Sequence, residues 1–197
     1  VGNGTKAIEF FVEDDKEYIA EIRLGITTDT GDFEGNIINM SPVKIERLKF
    51  EETLTQFTGE VFQIPPMYSA VRYKGRKLYE FARQGIVVER KPRQVNIYSL
   101  DLLDYSGDTA IIRAICSKGT YIRTLCEDIG KKLGCGGCLS CLVRTRSGPF
   151  TIEKSATLEE IQQVAASGIL EKVLTPIDRY FKHMPIVRLA REDRGFF

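Results

Sequence analysis

Ser117-Lys118-Gly119-Thr120-Tyr121-Ile122-Arg123-Thr124 is the stretch on which the fold turns. It separates a strand-like run, Ala110 to Cys116, from the apolar positions Ile122, Leu125, Cys126, Ile129 and Leu133. Those positions recur at helical spacing and line one face of a helix. Gly119 lets the backbone turn, and Thr120 is the candidate N-cap. Arg123 then stands in the first helical turn, where the dipole favours anions. An arginine placed against that preference calls for an anionic partner. The plain alternative is a surface arginine on an ordinary strand-to-helix turn.

Upstream, Thr5 to Val12 reads as a short helix with Ala7, Ile8, Phe11 and Val12 on its apolar face. Tyr18 to Leu24 alternates with period two, so Tyr18, Ala20, Ile22 and Leu24 share the buried side of a strand. A Gly- and Thr-rich loop, Gly25 to Gly35, follows. It lacks the Gly-Lys-Ser/Thr ending of a phosphate loop and the spacing of a calcium loop. Two readings remain for it: its Asp and Thr side chains bond its own backbone, or they meet substrate hydroxyls or a basic segment. Arg47 to Phe57 reads as a helix closed by Gly59. Pro65-Pro66 breaks any helix and sets an extended segment, a turn and a strand. Lys77 to Arg83 is a short helix with Leu78, Phe81 and Ala82 inward.

From Arg72 to Arg93 there are eight cations (Arg72, Lys74, Arg76, Lys77, Arg83, Arg90, Lys91 and Arg93) against two acids, Glu80 and Glu89. Tyr68, Tyr73 and Tyr79 are interleaved. Such a segment suits a phosphate backbone with exposed bases, and equally a solvated charged face.

Downstream, Val95 to Tyr105 and Thr109 to Cys116 read as paired strands around Ser106-Gly107-Asp108. Cys135, Cys138 and Cys141 have Cys-x-x-Cys-x-x-Cys spacing. A closed zinc or iron–sulfur site needs a fourth ligand, so small buried fillers are the preferred reading and no metal is expected. Leu142 to Phe150 is another basic strand end. Thr157 caps a helix to Ala166, Glu160 completes a capping box, and Leu158, Ile161 and Val164/Ala165 are expected inward. Helices and strands alternate irregularly with several hairpins. That pattern points to an α+β fold with a mixed, mostly antiparallel sheet flanked by helices.

The chain has 197 residues, 43% hydrophobic and 28% charged, with a net charge of +1. This fits a globular domain and offers no global basicity to announce a nucleic-acid partner. Five cysteines suggest reduced thiols and a cytoplasmic location. No run is long enough to span a bilayer. With one histidine, His183, in a Pro-flanked tail, Ser-His-Asp or Cys-His catalysis is nearly excluded. The start at Val1 without Met and the end at Gly195-Phe196-Phe197 read as those of a fragment.

Four segments, in order, resemble the bacterial TruB-type tRNA pseudouridine synthases: Tyr18 to Gly35, Ile64 to Gly85, Cys116 to Thr124 and Leu142 to Gly148. The likeness covers nearly all of Gly2 to Asp178. It implies the pseudouridine synthase fold and isomerisation of one uridine in the TΨC arm of tRNA (position 55). The reaction uses a carboxylate nucleophile, no cofactor and a flipped-out base. By resemblance, Tyr18 stacks on the target base and is linked to removal of its carbon-5 proton. Arg123 pairs with the catalytic aspartate, Tyr121 and Leu142 line the pocket, and Arg72, Lys74, Arg76, Lys77, Arg83 and Arg144 contact RNA. The family's His-Thr-Gly-x-Leu-Asp-Pro-like nucleophile segment is not found in the chain. Residues 1–178 are therefore expected to form a truncated catalytic domain, inactive alone and monomeric. Residues 179–197 are expected to be a tail leading to an absent C-terminal RNA-binding domain. The competing reading is a non-catalytic RNA-binding module of the same fold.

Overall fold

The computed structural model describes residues 2–11, 15–181 and 185. Val12, His183 and most of the tail from 179 onward lie outside the described residues. The chain divides into two compact units, residues 11–153 and residues 1–10 with 154–197.

In chain order the larger unit holds β1 (Lys16–Leu24), β2 (Ile26–Thr28), β3 (Ile37–Met40), α1 (Arg47–Thr55), β4 (Gly59–Gln63), β5 (Arg72–Tyr73), β6 (Arg76–Lys77), α2 (Leu78–Ala82), β7 (Arg93–Tyr105), β8 (Thr109–Cys116), α3 (Ile122–Leu133), β9 (Gly137–Ser147) and β10 (Phe150–Thr151). Six strands form one antiparallel sheet in the order β10-β9-β1-β8-β7-β4. The pairs β2-β3 and β5-β6 are separate two-stranded sheets. This is the expected α+β architecture.

The period-two alternation of β1 sends Ala20, Ile22 and Leu24 into the core. Opposite them, Ile112 faces Ala20 and Ala110 faces Ile22. The helix α3 covers this face along β9 and β1 and contributes Ile122, Leu125, Cys126 and Ile129, all buried. Each such side chain contributes about 1.5–3 kcal/mol of apolar burial. The helix reaches β9 without a side chain between them at Gly130. A Cβ there would lie 2.3 Å from Gly137 N and 2.4 Å from the Gly136 carbonyl carbon. At the other end of the sheet, α1 buries Phe50 and Leu54. The Phe50 ring packs 5.3 Å from that of Tyr105, whose hydroxyl donates to Ile45 O at 2.6 Å.

Three expectations change. Tyr121, not Thr120, is the N-cap of α3, in extended geometry at φ −100°. The Thr120 hydroxyl instead donates back to Ser117 O at 2.9 Å, closing the preceding turn on itself. The first segment is a 3₁₀ helix over Gly2–Phe11. In the smaller unit, α4 (Leu158–Ala166) has the expected capping box between Thr157 and Glu160. No residue of that helix is buried, however, and Leu158 is 75% exposed. A capping box needs only four consecutive residues, whereas burial needs a partner surface.

Candidate functional site

The site is assembled around the first turn of α3. The turn from β8 into α3 uses Gly119 at φ +79°, a conformation that a side chain resists. The next residues are held from across the sheet. Gln63, at the end of β4, is only 3% exposed. Its Oε1 accepts the Tyr121 N–H at 2.9 Å and its Nε2 donates to Tyr121 O at 3.3 Å. The buried amide pairs with the backbone much as a neighbouring strand would, and so fixes where α3 begins.

One turn in, Arg123 finds the anion that its position demands. Its Nη1 donates to Asp32 Oδ2 at 3.0 Å, and the two side chains are 24% and 27% exposed. Its Nη2 donates to Tyr68 O at 2.6 Å, and Nη1 also reaches Thr30 O at 3.4 Å. The guanidinium therefore ties the loop after β2 and the Pro-Pro segment to one helix. Pairing seen in the chain is with Asp32, so Arg123 is not left without a carboxylate. The loop makes this possible. Thr28 Oγ1 donates to Asp32 O at 2.7 Å, and Thr30 Oγ1 donates to Asp32 Oδ1 at 2.6 Å. Leu139 N–H donates to Gly31 O and Phe33 N–H to Leu139 O, which pins the loop alongside β9. Both readings of the Gly-Thr loop thus hold: it bonds itself, and it meets a cation.

Tyr18, Leu142 and Arg144 come together on the same sheet face. Tyr18 lies directly opposite Arg144 and Ala114, and Ala20 opposite Leu142. Opposed residues in antiparallel strands project to one side, here the side that carries α3. Because β8 ends at Cys116 opposite Lys16, Tyr18 lies at the end of the sheet where α3 starts. The Tyr18 ring packs against the core cluster. Its phenol is raised above its ordinary value by burial, then by Cys116, while the charge and hydrogen bond of Arg144 pull it back. Leu142 stays 43% exposed on this face, and Arg144 beside it is exposed as well. Tyr121, the N-cap of α3, is half-buried and held by Gln63.

Other residues of the neighbourhood are invisible to motif reading. Glu127, one turn beyond Arg123, has a half-buried carboxyl raised by burial and by Asp128, against the opposing charges of Arg123 and Arg90. Gly31 lies against it at φ +77°, a conformation that a side chain resists, and a Cβ there would also displace the end of the Glu127 side chain. A helical i, i+4 step from Arg123 was the one available signal for it. Gln63 carried none, since nothing local marks a buried clamp.

The basic run is not uniform. On the β5-β6 hairpin and α2, Lys74 lies over the Tyr73 ring at 5.5 Å and Arg76 over Phe81 at 4.7 Å. Lys77 and Arg83 flank the Tyr79 ring at 5.5 and 5.3 Å. These are cation–π arrangements. Arg72, exposed, donates to Gly75 O at 3.0 Å. The five cysteines are free thiols; Cys135 and Cys138 are buried and Cys141 is exposed. Among the described residues, no group of three or more His, Cys, Asp or Glu is placed to hold a metal ion, and no helix is long and apolar enough to cross a membrane.

Comparison with known proteins gives concordant results. Residues 1–122 match the family model described as TruB family pseudouridylate synthase (N terminal domain). Residues 123–182 match that of the tRNA pseudouridylate synthase B C-terminal domain. The tRNA pseudouridine synthase B of Stutzerimonas stutzeri is 44% identical over 199 residues, covering 100% of this chain and 65% of that protein. The protein of the same name from Francisella philomiragia is 45% identical over 197 residues, covering 98% and 64%. The chain thus spans a little under two thirds of the length of these relatives. Among solved structures, a chain of a Cbf5-Nop10-Gar1 complex superposes with a TM-score of 0.68 at 26% identity, covering 92% of this chain and 47% of that one. A chain of an H/ACA RNP bound to a substrate RNA containing 2'-deoxyuridine superposes at 0.64 with 23% identity, a likeness of fold.

Proposed function

This chain belongs to the TruB family of pseudouridylate synthases, and from that premise we propose that it supplies the base-binding half of an enzyme that isomerises uridine to pseudouridine in the TΨC arm of tRNA, at position 55. The observation that supports the reading is that Tyr18, Leu142 and Arg144 share one sheet face, while Arg123, in the first turn of α3, is held in place by Asp32 and Tyr68 O. A uracil flipped from its stack enters past the exposed Leu142 and lies on the Tyr18 ring. The phenol, raised by its burial, stays protonated at neutral pH until a base position is offered, and is linked to loss of the carbon-5 proton. Arg123, whose Nη1 and Nη2 engage Asp32 and Tyr68 O, offers its remaining N–H donors to the reacting carboxylate. Asp32 acts through Arg123, because both of its oxygens are already accepting hydrogen bonds.

The nucleophilic carboxylate in this reading comes from a segment outside these 197 residues, so the chain alone does not turn over RNA. The glycosidic bond broken and the carbon–carbon bond made belong to one nucleotide, so no cofactor is needed. Arg72, Lys74, Arg76, Lys77, Arg83 and Arg144 contact phosphates, and the protein works as a cytoplasmic monomer. A second reading, a non-catalytic RNA-binding module, is favoured by one feature: Arg123 is already satisfied by Asp32. Tritium release from [5-³H]uridine in a TΨC stem-loop distinguishes the two. A protein containing this chain at the length of its relatives should release tritium, and its Tyr18→Phe variant should not while still binding RNA. Absence of release from the unmodified longer protein sinks the catalytic reading.

A further inference from the structure

Four of the eight cations in the basic run line a cavity, together with Tyr73. Arg72, Arg90, Lys91 and Arg93 line a space of about 350 Å³ between the β5-β6 hairpin and the start of β7. Glu89 is the acid in the lining, Glu127 lies within electrostatic reach of Arg90, and Val71 and Leu78 supply an apolar wall. Arg90 donates from Nη1 to Pro65 O at 3.1 Å, but its Nε is shut off from solvent and has no acceptor. Buried polar groups, and charged ones above all, are normally paired. Lys74, Arg76, Lys77 and Arg83 have ring partners; the other four cations share one cavity, where an anion would offset their charge.

We propose that this cavity is a subsite for one nucleotide unit of bound RNA, distinct from the Tyr18 pocket, with the phosphate among Arg72, Arg90 and Arg93 and the base against Val71 and Leu78. The proposal rests on the RNA-binding part of the functional reading and deepens it. Volume limits the occupant. Ligand pockets run from about 300 to 1,000 Å³, so this one takes a nucleotide and not a duplex. Lining selects its chemistry, because inorganic phosphate would use the cations but leave the apolar wall wet, and a free nucleoside would do the reverse. The subsite gives the basic run a role beyond diffuse attraction: it fixes the position of one nucleotide along the strand, as a phosphate contact does.

The test uses the 197-residue chain and does not depend on turnover. Uridine 5'-monophosphate, uridine and inorganic phosphate are titrated separately by NMR, and a TΨC stem-loop RNA is titrated at several salt concentrations. Uridine 5'-monophosphate should bind more tightly than either uridine or phosphate. Arg93→Gln, on an exposed residue, and Arg90→Gln should each weaken it by about fivefold or more, and each should lower the salt slope of RNA binding by about 0.7–0.9. Lys49→Gln removes the same charge from α1 and should change neither. Phosphate binding as tightly as the mononucleotide would overturn the nucleotide assignment. RNA binding with unchanged affinity and slope in Arg93→Gln would overturn the subsite while leaving the RNA reading intact. Mononucleotide binding that needs Arg93, without RNA binding, would support the subsite and sink the RNA reading. Binding of neither ligand overturns both.

Discussion

Replacing Gln63 by glutamate changes one atom's chemistry at the clamp that starts α3. The Oε1 acceptor for Tyr121 N–H survives, but the donor facing Tyr121 O at 3.3 Å becomes an oxygen. Ionised, that oxygen opposes a carbonyl in a site only 3% exposed. Protonated, it donates as the amide did. Burial and the facing carbonyl both disfavour the charge, so the folded-state pKa of the new carboxyl rises above the value of about 4.3 in the unfolded chain. The sign follows from that. Below the unfolded pKa the acid is neutral in both states and the variant is near wild type. As pH rises the unfolded state ionises freely and the folded state resists, so stability is lost until pH passes the folded pKa. Two to three pKa units correspond to roughly 3–4 kcal/mol. Gln63→Leu is the control: it forfeits two neutral hydrogen bonds and orphans a buried N–H, about 2–4 kcal/mol in all and independent of pH. Urea unfolding of the three proteins between pH 4.5 and 8 reads both. A Gln63→Glu difference from wild type that stays flat across this range would refute the clamp.

Gly130→Ala should destabilise the fold by about 3 kcal/mol or more in chemical denaturation, despite alanine's better helix propensity, because the new methyl meets only backbone; a neutral or stabilising result would show that α3 can lift off β9. Arg123→Lys and Asp32→Asn should each lower stability, with a coupling in the double-mutant cycle of about 1–2 kcal/mol, and strict additivity would dissolve the pair. In the longer protein, Arg123→Lys should cut turnover by a factor of about 100 while RNA affinity holds within roughly twofold, since lysine lacks the planar fork; near wild-type rates would contradict its assigned role. A thiol reagent should titrate one cysteine quickly in the native chain, Cys141. Cys116, Cys126, Cys135 and Cys138 are buried, and burial pushes the thiols of Cys116, Cys126 and Cys138 up. These four should react only on unfolding, and a second fast thiol would mean that the β9 end of the core breathes.

What lay open in the amino-acid order was whatever repeats locally. The alternation from Tyr18 to Leu24, the β7-β8 hairpin and the 3.6-residue stripe of α3 are written in neighbouring residues, because burying one face of a regular backbone imposes a period. The capping box of α4 was legible for the same reason. The order of residues also raised an anionic partner for Arg123, from its place against the helix dipole, beside the plainer reading of a surface arginine. It could not show which one. Asp32 is 91 residues away and Gln63 is 58 residues from the backbone that it clamps; Asp32 is brought in by the bridge of the Gly-Thr loop to Leu139 of β9, and Gln63 by the pairing of β4 with β7. The cap falls at Tyr121, whose backbone is held by the distant Gln63 amide, while the Thr120 hydroxyl is engaged by Ser117 O, and residue type does not settle that. Nor could periodicity say whether the apolar stripe of α4 meets a partner. Period determines which side chains share a face; only the packed chain decides what that face touches.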